Sequence, residues 1–249
     1  MTRGKLALTT FAVLAVFITV LVVYLPASWF AAALPREVRC AELGGSIWNG
    51  ECLGLELSGT PIGDATWNLA VGRALTGRLV GDLDVRGAAA AARADFDVNF
   101  SGSGELHNIV ARFPLDPAFS AQMPRDYRAQ ISADLKHLVM ADGAAQRIEG
   151  TVEVRDLREV RPQTVELGSY RVSFDGALNP DGKVLGNLRD IGGPFILEGI
   201  ATLAPPNTYN VQGYITGRTA DAERIVRQVT FGVQPDASGR SEFRFEGTY

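Results

Sequence analysis

With 249 residues, 24 Lys and Arg against 28 Asp and Glu, and a formal net charge of -4, the chain is long enough for one large domain or two modest ones. It lacks the basic balance of a nucleic-acid binder. Two histidines, His107 and His137, and two cysteines, Cys40 and Cys52, are its whole stock of those residue types, which leaves no local spacing of a zinc or iron–sulfur site.

Residues 6–25 read LALTTFAVLAVFITVLVVYL, an uncharged run with threonine as its polar content. It is long enough to cross a bilayer as a helix, which satisfies its own backbone groups. Arg3 and Lys5 precede it, so the positive-inside tendency puts residues 1–5 in the cytoplasm and everything after Pro26 on the far side of the inner membrane. Tyr24 and Trp29 stand where interfacial anchors sit at the outer end of a span. A cleaved signal peptide is the competing reading, because Ala31, Ala32 and Ala33 resemble a small-residue cleavage site. The run is longer than a usual signal core, and Pro26 and Trp29 follow it directly, which favours an uncleaved anchor. The intact mass of the membrane-bound protein separates the two readings.

Residues 26–45 then read as a juxtamembrane linker, with a short helix expected over residues 34–43. Cys40 and Cys52 fall in the exported part, where thiols are oxidised. A disulfide closing a loop of that size stabilises by about 3 kcal/mol in the chain-entropy model. Two buried free thiols are the alternative. Between the cysteines, GSIWNG at 45–50 reads as a strand ending in a turn at Asn49 and Gly50, with Trp48 as a large buried anchor and Cys52 on the next strand.

From Ser46 onward the pattern has period two. Leu79, Gly81, Leu83 and Val85 alternate with Arg78, Asp82, Asp84 and Arg86, with Val80 as the exception. Ala94, Phe96, Val98 and Phe100 alternate with Arg93, Asp95, Asp97 and Asn99. Further on, Ile148, Gly150, Val152 and Val154 oppose Arg147, Glu149, Thr151, Glu153 and Arg155. Tyr170, Val172 and Phe174 oppose Arg171, Ser173 and Asp175, and Phe243, Phe245, Gly247 and Tyr249 oppose Glu242, Arg244, Glu246 and Thr248. Strands with one apolar and one wet face belong to antiparallel sheets. Turn-formers at 101–104, 141–143, 179–182 and 204–207 punctuate them, and the expected count is about ten to twelve strands.

Helix is scarce. The segment 219–232 has Thr219 as N-cap, Asp221 and Glu223 in the first turn, Ile225, Val226 and Val229 on one side, and Gly232 as a C-cap. Residues 113–127 hold three prolines and read as a connection between an N-terminal and a C-terminal part of the sheet.

Catalytic motifs are missing. No G-x-S-x-G elbow, P-loop or H-E-x-x-H is present, and Ser103 sits in a hairpin turn. Asp95 and Asp97, and Glu149 and Glu153, lie on wet faces beside arginines, whereas a glycosidase needs carboxylates converging in a cleft. His107 and His137 read as incidental strand residues. No catalytic, cofactor-binding or metal-ligating residue is assigned, and no cofactor is expected.

In order along the chain come LPASW, GSIWNG, GDATWNL, LTGRLVGDLDVRG, LGSYRVSFDG, DIGGPFILEGIATLAPPNTYNVQGYITGR and DASGRSEFRFEGTY. In that order they resemble protein N of the bacterial type II secretion system, the GspN family. The resemblance implies an inner-membrane protein with a periplasmic domain, accessory to the export of folded proteins across the outer membrane. It implies contacts with other inner-membrane components of that machine and with its outer-membrane secretin, and it brings no catalytic residues. The strand rhythm also looks like the lipid-conducting periplasmic proteins of the AsmA type, whose one-sidedly apolar sheets hold lipid in a groove. The expected fold is all-β: one N-terminal transmembrane helix, then a largely antiparallel, curved sheet with one or two short helices.

Overall fold

A computed structural model of the chain describes residues 13–14, 20–74, 76–99, 101–117, 119, 125–141, 143–177, 179, 181–230 and 234–248. Most of the anchor expected at 6–25, and with it the cytoplasmic tail, lies outside the described residues. Among the described residues no helix is long and apolar enough to cross a membrane. Residues 20–23 are helical, and a 3₁₀ turn, Ala27–Ala33, follows.

Fourteen strands form one sheet. They are β1 (Val38–Arg39), β2 (Glu42–Gly45), β3 (Asn49–Leu57), β4 (Thr60–Leu69), β5 (Arg78–Arg86), β6 (Ala91–Asn99) and β7 (Gly104–Leu115). The rest are β8 (Tyr127–Ala141), β9 (Ala144–Glu159), β10 (Val165–Asp175), β11 (Val184–Gly192), β12 (Phe195–Ala204), β13 (Thr208–Gly217) and β14 (Ser241–Thr248). From β3 to β14 each strand pairs antiparallel with the next in the chain. The period-two pattern is therefore realised as a meander, and twelve of the strands lie beyond Ser46. Residues 113–115 belong to β7 and Tyr127 opens β8, and these two strands pair directly along their lengths.

The helix expected over 34–43 does not form. Val38 and Arg39 pair with Leu57 and Glu56, and residues 42–45 pair with 50–53. The local helical preference of this segment is weak. Pairing instead satisfies the free edge of β3, so tertiary structure overrides propensity. The two strands beyond the expected count come from here.

Two further short helices lie within the sheet region: α1 (Val71–Ala74), between β4 and β5, and α2 (Ala220–Val229), between β13 and β14. Thr219 caps α2 by accepting the Ala222 N–H through its hydroxyl. At the other end Thr230 is the cap residue, and its N–H bonds to the Val226 carbonyl. Gly232 lies outside the described residues.

The core is divided rather than central. Cys52, Ala65 and Val85 form one buried cluster. Leu135, Ile148 and Val184 form a second. Phe195 with Ala222 and Val226 of α2 forms a third. Leu135 lies on β8 and Val184 on β11, yet they share a cluster across two intervening strands. Ile148 on β9 and the partly buried Phe174 on β10 lie between them, so the cluster runs continuously along the apolar face.

Candidate functional site: a clamped end and a two-faced sheet

The N-terminal end of the sheet is tied down by groups that converge on the loop between β2 and β3. The turn runs from Ser46 to Asn49, not at Asn49 and Gly50 as the sequence suggests. Ser46 N–H bonds to the Asn49 carbonyl at 2.9 Å, and Asn49 N–H bonds to Ser46 Oγ at 3.1 Å. Ile47 and Trp48 occupy the tip because this tip faces protein rather than water. Ile47 N–H donates to the Leu25 carbonyl at 3.0 Å, and the buried indole of Trp48 donates through Nε1 to the Val22 carbonyl at 2.7 Å. Pro26 forms an isolated antiparallel bridge with Ser46. A helix C-terminus leaves its last carbonyls without intrahelical partners. Trp48 and Ile47 donate to one carbonyl at that terminus and one just beyond it, and so fasten the apolar N-terminal segment to the sheet.

Trp67 reinforces the loop by donating through Nε1 to the Ile47 carbonyl at 3.0 Å. Gly50 makes room for that ring, since a Cβ there would lie 2.3 Å from Trp67 Cζ2. A disulfide joins Cys40 to Cys52, with the Cα atoms 5.5 Å apart. It sits at the gap between β1 and β2, where the β3 edge changes partner. Both cysteines pack in the first core cluster. Tyr24 and Trp29 are 74% and 69% exposed, on the same side of the loop in sequence as the apolar segment.

The sheet carries an apolar row from end to end, and its other face mixes charged residues with exposed Val110, Leu185, Ile196 and Ile200. Leu43, Cys52, Ala65, Val85, Ala92, Ala111, Ala133, Val152, Val172, Leu188, Gly199, Gly213 and Phe243 face one another in turn across thirteen strands. No polar residue interrupts this row. One residue along lies a row of opposite character: Arg112, Ser132, Glu153, Arg171, Arg189, Glu198, Tyr214 and Glu242. Most of the apolar row is only half-buried. A cavity of about 310 Å³ opens on it between Leu57, Ile62, Val85, Ala92, Phe113 and Phe119.

On the polar face, a depression of about 560 Å³ is lined by Arg112, Gln130, Ser132, Asp134, Thr151, Glu153 and Arg155. Glu153 is clasped by Arg155 and Arg171, each at 2.6 Å. Hydrogen bonds from Arg155 first, then Arg171, hold its carboxyl below the usual carboxylate range. The two histidines also lie on this face. They pair across β7 and β8 and stack with centroids 4.5 Å apart, and Glu105 bonds to His137 at 2.9 Å. The sequence placed them on strands but gave no sign of their pairing, which depends on the register of two strands separated by a long connection.

The C-terminal end is held differently. Arg218 reaches Asp190 at 2.7 Å and donates to the carbonyls of Gly193 and Phe195. Asp190 also accepts the Leu197 N–H. This latch joins the ends of β11, β12 and β13, and the sequence did not single it out. Nearby, Tyr170 donates its hydroxyl to the Leu167 carbonyl. Burial, with help from Asp190, pushes its phenol up to about 12. Beyond the latch, β14 leaves one edge without a strand partner among the described residues, and Phe245 on it is 57% exposed.

The profile of the family described as Type II secretion system (T2SS), protein N, matches residues 36–244, which takes in the sheet from β1 into β14. The chain belongs to the type II secretion system protein N family. A relative named Type II secretion system protein N, from Vibrio cholerae serotype O1 (strain ATCC 39315 / El Tor Inaba N16961), is 23% identical over 243 residues. That alignment covers 93% of this chain and 94% of the relative. No solved structure matches the chain. Membership in the protein N family gives the chain an accessory role in type II secretion, among other parts of that machinery. For this family member, then, the clamp, the two faces and the open edge are the features on which such contacts can be built.

Proposed function

We propose that the protein is a single-pass inner-membrane subunit whose sheet lies in the periplasm and supports export of folded proteins through contacts with other secretion components, including the outer-membrane secretin. The observation that carries this reading is the family match over nearly the whole sheet. The apolar run at 6–25 acts as the anchor, with Tyr24 and Trp29 at the outer interface. The loop at Ile47 and Trp48 couples the anchor to the sheet, so the body is held at a set height above the membrane. The charged face and the unpaired edge of β14 provide surfaces for partner proteins, since exposed edges readily accept a further strand.

The test is site-specific crosslinking in native membranes from positions on β14, with secretion measured in a deletion strain. Adducts with secretion components and a secretion defect support the proposal. Intact secretion together with no such adduct sinks it. A fusion reporter at Tyr249 that is active in the cytosol would also overturn the topology.

A second reading is favoured by a specific observation. The uninterrupted apolar row across thirteen strands, only half-buried and opening into the 310 Å³ cavity, suits an apolar guest such as a phospholipid chain. Native mass spectrometry of the purified protein tests this, and a mass free of any lipid adduct removes the reading.

A further inference from the structure

Glu105, His107 and His137 are the group of three potential ligands among the described residues whose donor atoms all lie within 4.8 Å of one another. Glu105 and His107 are two apart on β7 and so share a face. His137 stands directly opposite His107 on β8. Glu105 Oε2 lies 2.9 Å from His137 Nε2 and 3.4 Å from His107 Nε2. A tetrahedral zinc ion with bonds of about 2.0–2.1 Å spaces its ligand atoms about 3.3 Å apart, and the two distances bracket that value.

Acids flank the pair, and one of them, Glu149, also pairs with Lys136 at 3.8 Å and Arg147 at 4.0 Å. The row through this pair reads Asp82, Asp95, His107, His137, Glu149, Asp175, with an acid on each side of the histidines. Strand bulges lie beside both rings, between Arg93 and Asp95 against β7 and between Leu135 and His137 against β9. Bulges of this kind re-aim side chains. The side chains of Glu105, His107 and His137 are 48%, 42% and 20% exposed, so a water can take a fourth position. The rings are nearly parallel, 9° apart, so their lone pairs run side by side. Each ring must turn about its Cβ–Cγ bond to converge on an ion. That torsion is broad for histidine, and the exposed side of the pair leaves room for the movement.

We infer that Glu105, His107 and His137 form a zinc-binding site on the polar face, three protein ligands with one position open to solvent. Two imidazoles and a carboxylate suit zinc and exclude the all-oxygen preference of calcium or magnesium. The ion would clip β7 to β8 across the sheet. The inference is independent of the secretion reading, because metal binding and secretion are measured separately.

The experiment titrates the full chain, purified in detergent without a histidine tag, with zinc chloride by calorimetry and with cobalt(II) by visible absorption. One zinc per chain and a tetrahedral cobalt spectrum are expected. His107→Ala and His137→Ala are each expected to weaken zinc binding by more than ~100-fold, beyond the range that loss of an outer-shell partner produces. Glu105→Gln, which keeps the side-chain size, is expected to weaken it at least ~10-fold with the β-sheet circular dichroism unchanged. Failure of the parent chain to bind zinc, or equal binding by the parent and the Glu105→Gln and His137→Ala chains, overturns the inference.

Discussion

The two ends of the sheet are secured by different chemistry. At the N-terminal end a covalent bond, two indole hydrogen bonds and a small-residue cluster immobilise β1 to β4 against the apolar segment. At the C-terminal end a ten-residue helix and one half-buried ion-pair latch do the work, and among the described residues the last strand keeps a free edge. The contrast teaches that cross-links are concentrated in the first four strands and the apolar segment before them, while the last strands rely on backbone pairing and one helix.

Disrupting the clamp should cost most. Trp48→Ala removes a buried indole and its short hydrogen bond to the Val22 carbonyl, and is expected to destabilise by about 3–5 kcal/mol, read as a lowered urea midpoint for the full chain in detergent. Reducing Cys40–Cys52 should cost about 3 kcal/mol, so the midpoint measured with reductant falls while a Cys40→Ala, Cys52→Ala chain shows no further response. At the opposite end Gly217→Ala is expected to cost about 1–3 kcal/mol by overpacking, because its Cβ would lie 2.2 Å from Glu223 N and push α2 off the strand. Should Gly217→Ala prove worse than Trp48→Ala, the proposed asymmetry is reversed.

Titration sharpens the comparison further. Tyr170 has its phenol raised from 10.0 to about 12, so its contribution to stability is whole below pH 10 and is lost as pH climbs from there toward 12. Melting curves across that window should flatten in Tyr170→Phe. Glu153 works at the acid side: its folded carboxyl is held low by Arg155 and Arg171, so its stabilisation is present at neutral pH and fades as pH falls through and below the ordinary glutamate value of 4.5. Glu153→Gln should blunt that acid limb. The smallest effect is expected from Arg240→Ala, an exposed pairing with Asp236 that also covers the Tyr214 ring, where the midpoint should barely move.

Much of the sheet was legible because its signal is local. A residue's face follows from its parity, so Val152 and Glu153 declare opposite sides without knowledge of any partner. Helix α2 was equally legible from Thr219 and the acids of its first turn. What failed was any decision made by distant residues. Residues 34–43 became strand because β3 offered an edge, and the turn at Ser46 moved because Trp48 had the Val22 carbonyl to bind. The disulfide could be argued from compartment, yet its place at the β1–β2 gap could not. The His107–His137 stack and the Asp190–Arg218 latch depend on strand register, which no short window of sequence encodes.

The strictly sequential pairing has a consequence for biogenesis. Each strand from β4 onward adds to the strand synthesised just before it, so no segment waits for a distant one to be made. Low contact order of this kind permits rapid, progressive folding. A chain folding from its amino end would lay down the disulfide-bearing hairpin first and then grow the sheet one rung at a time.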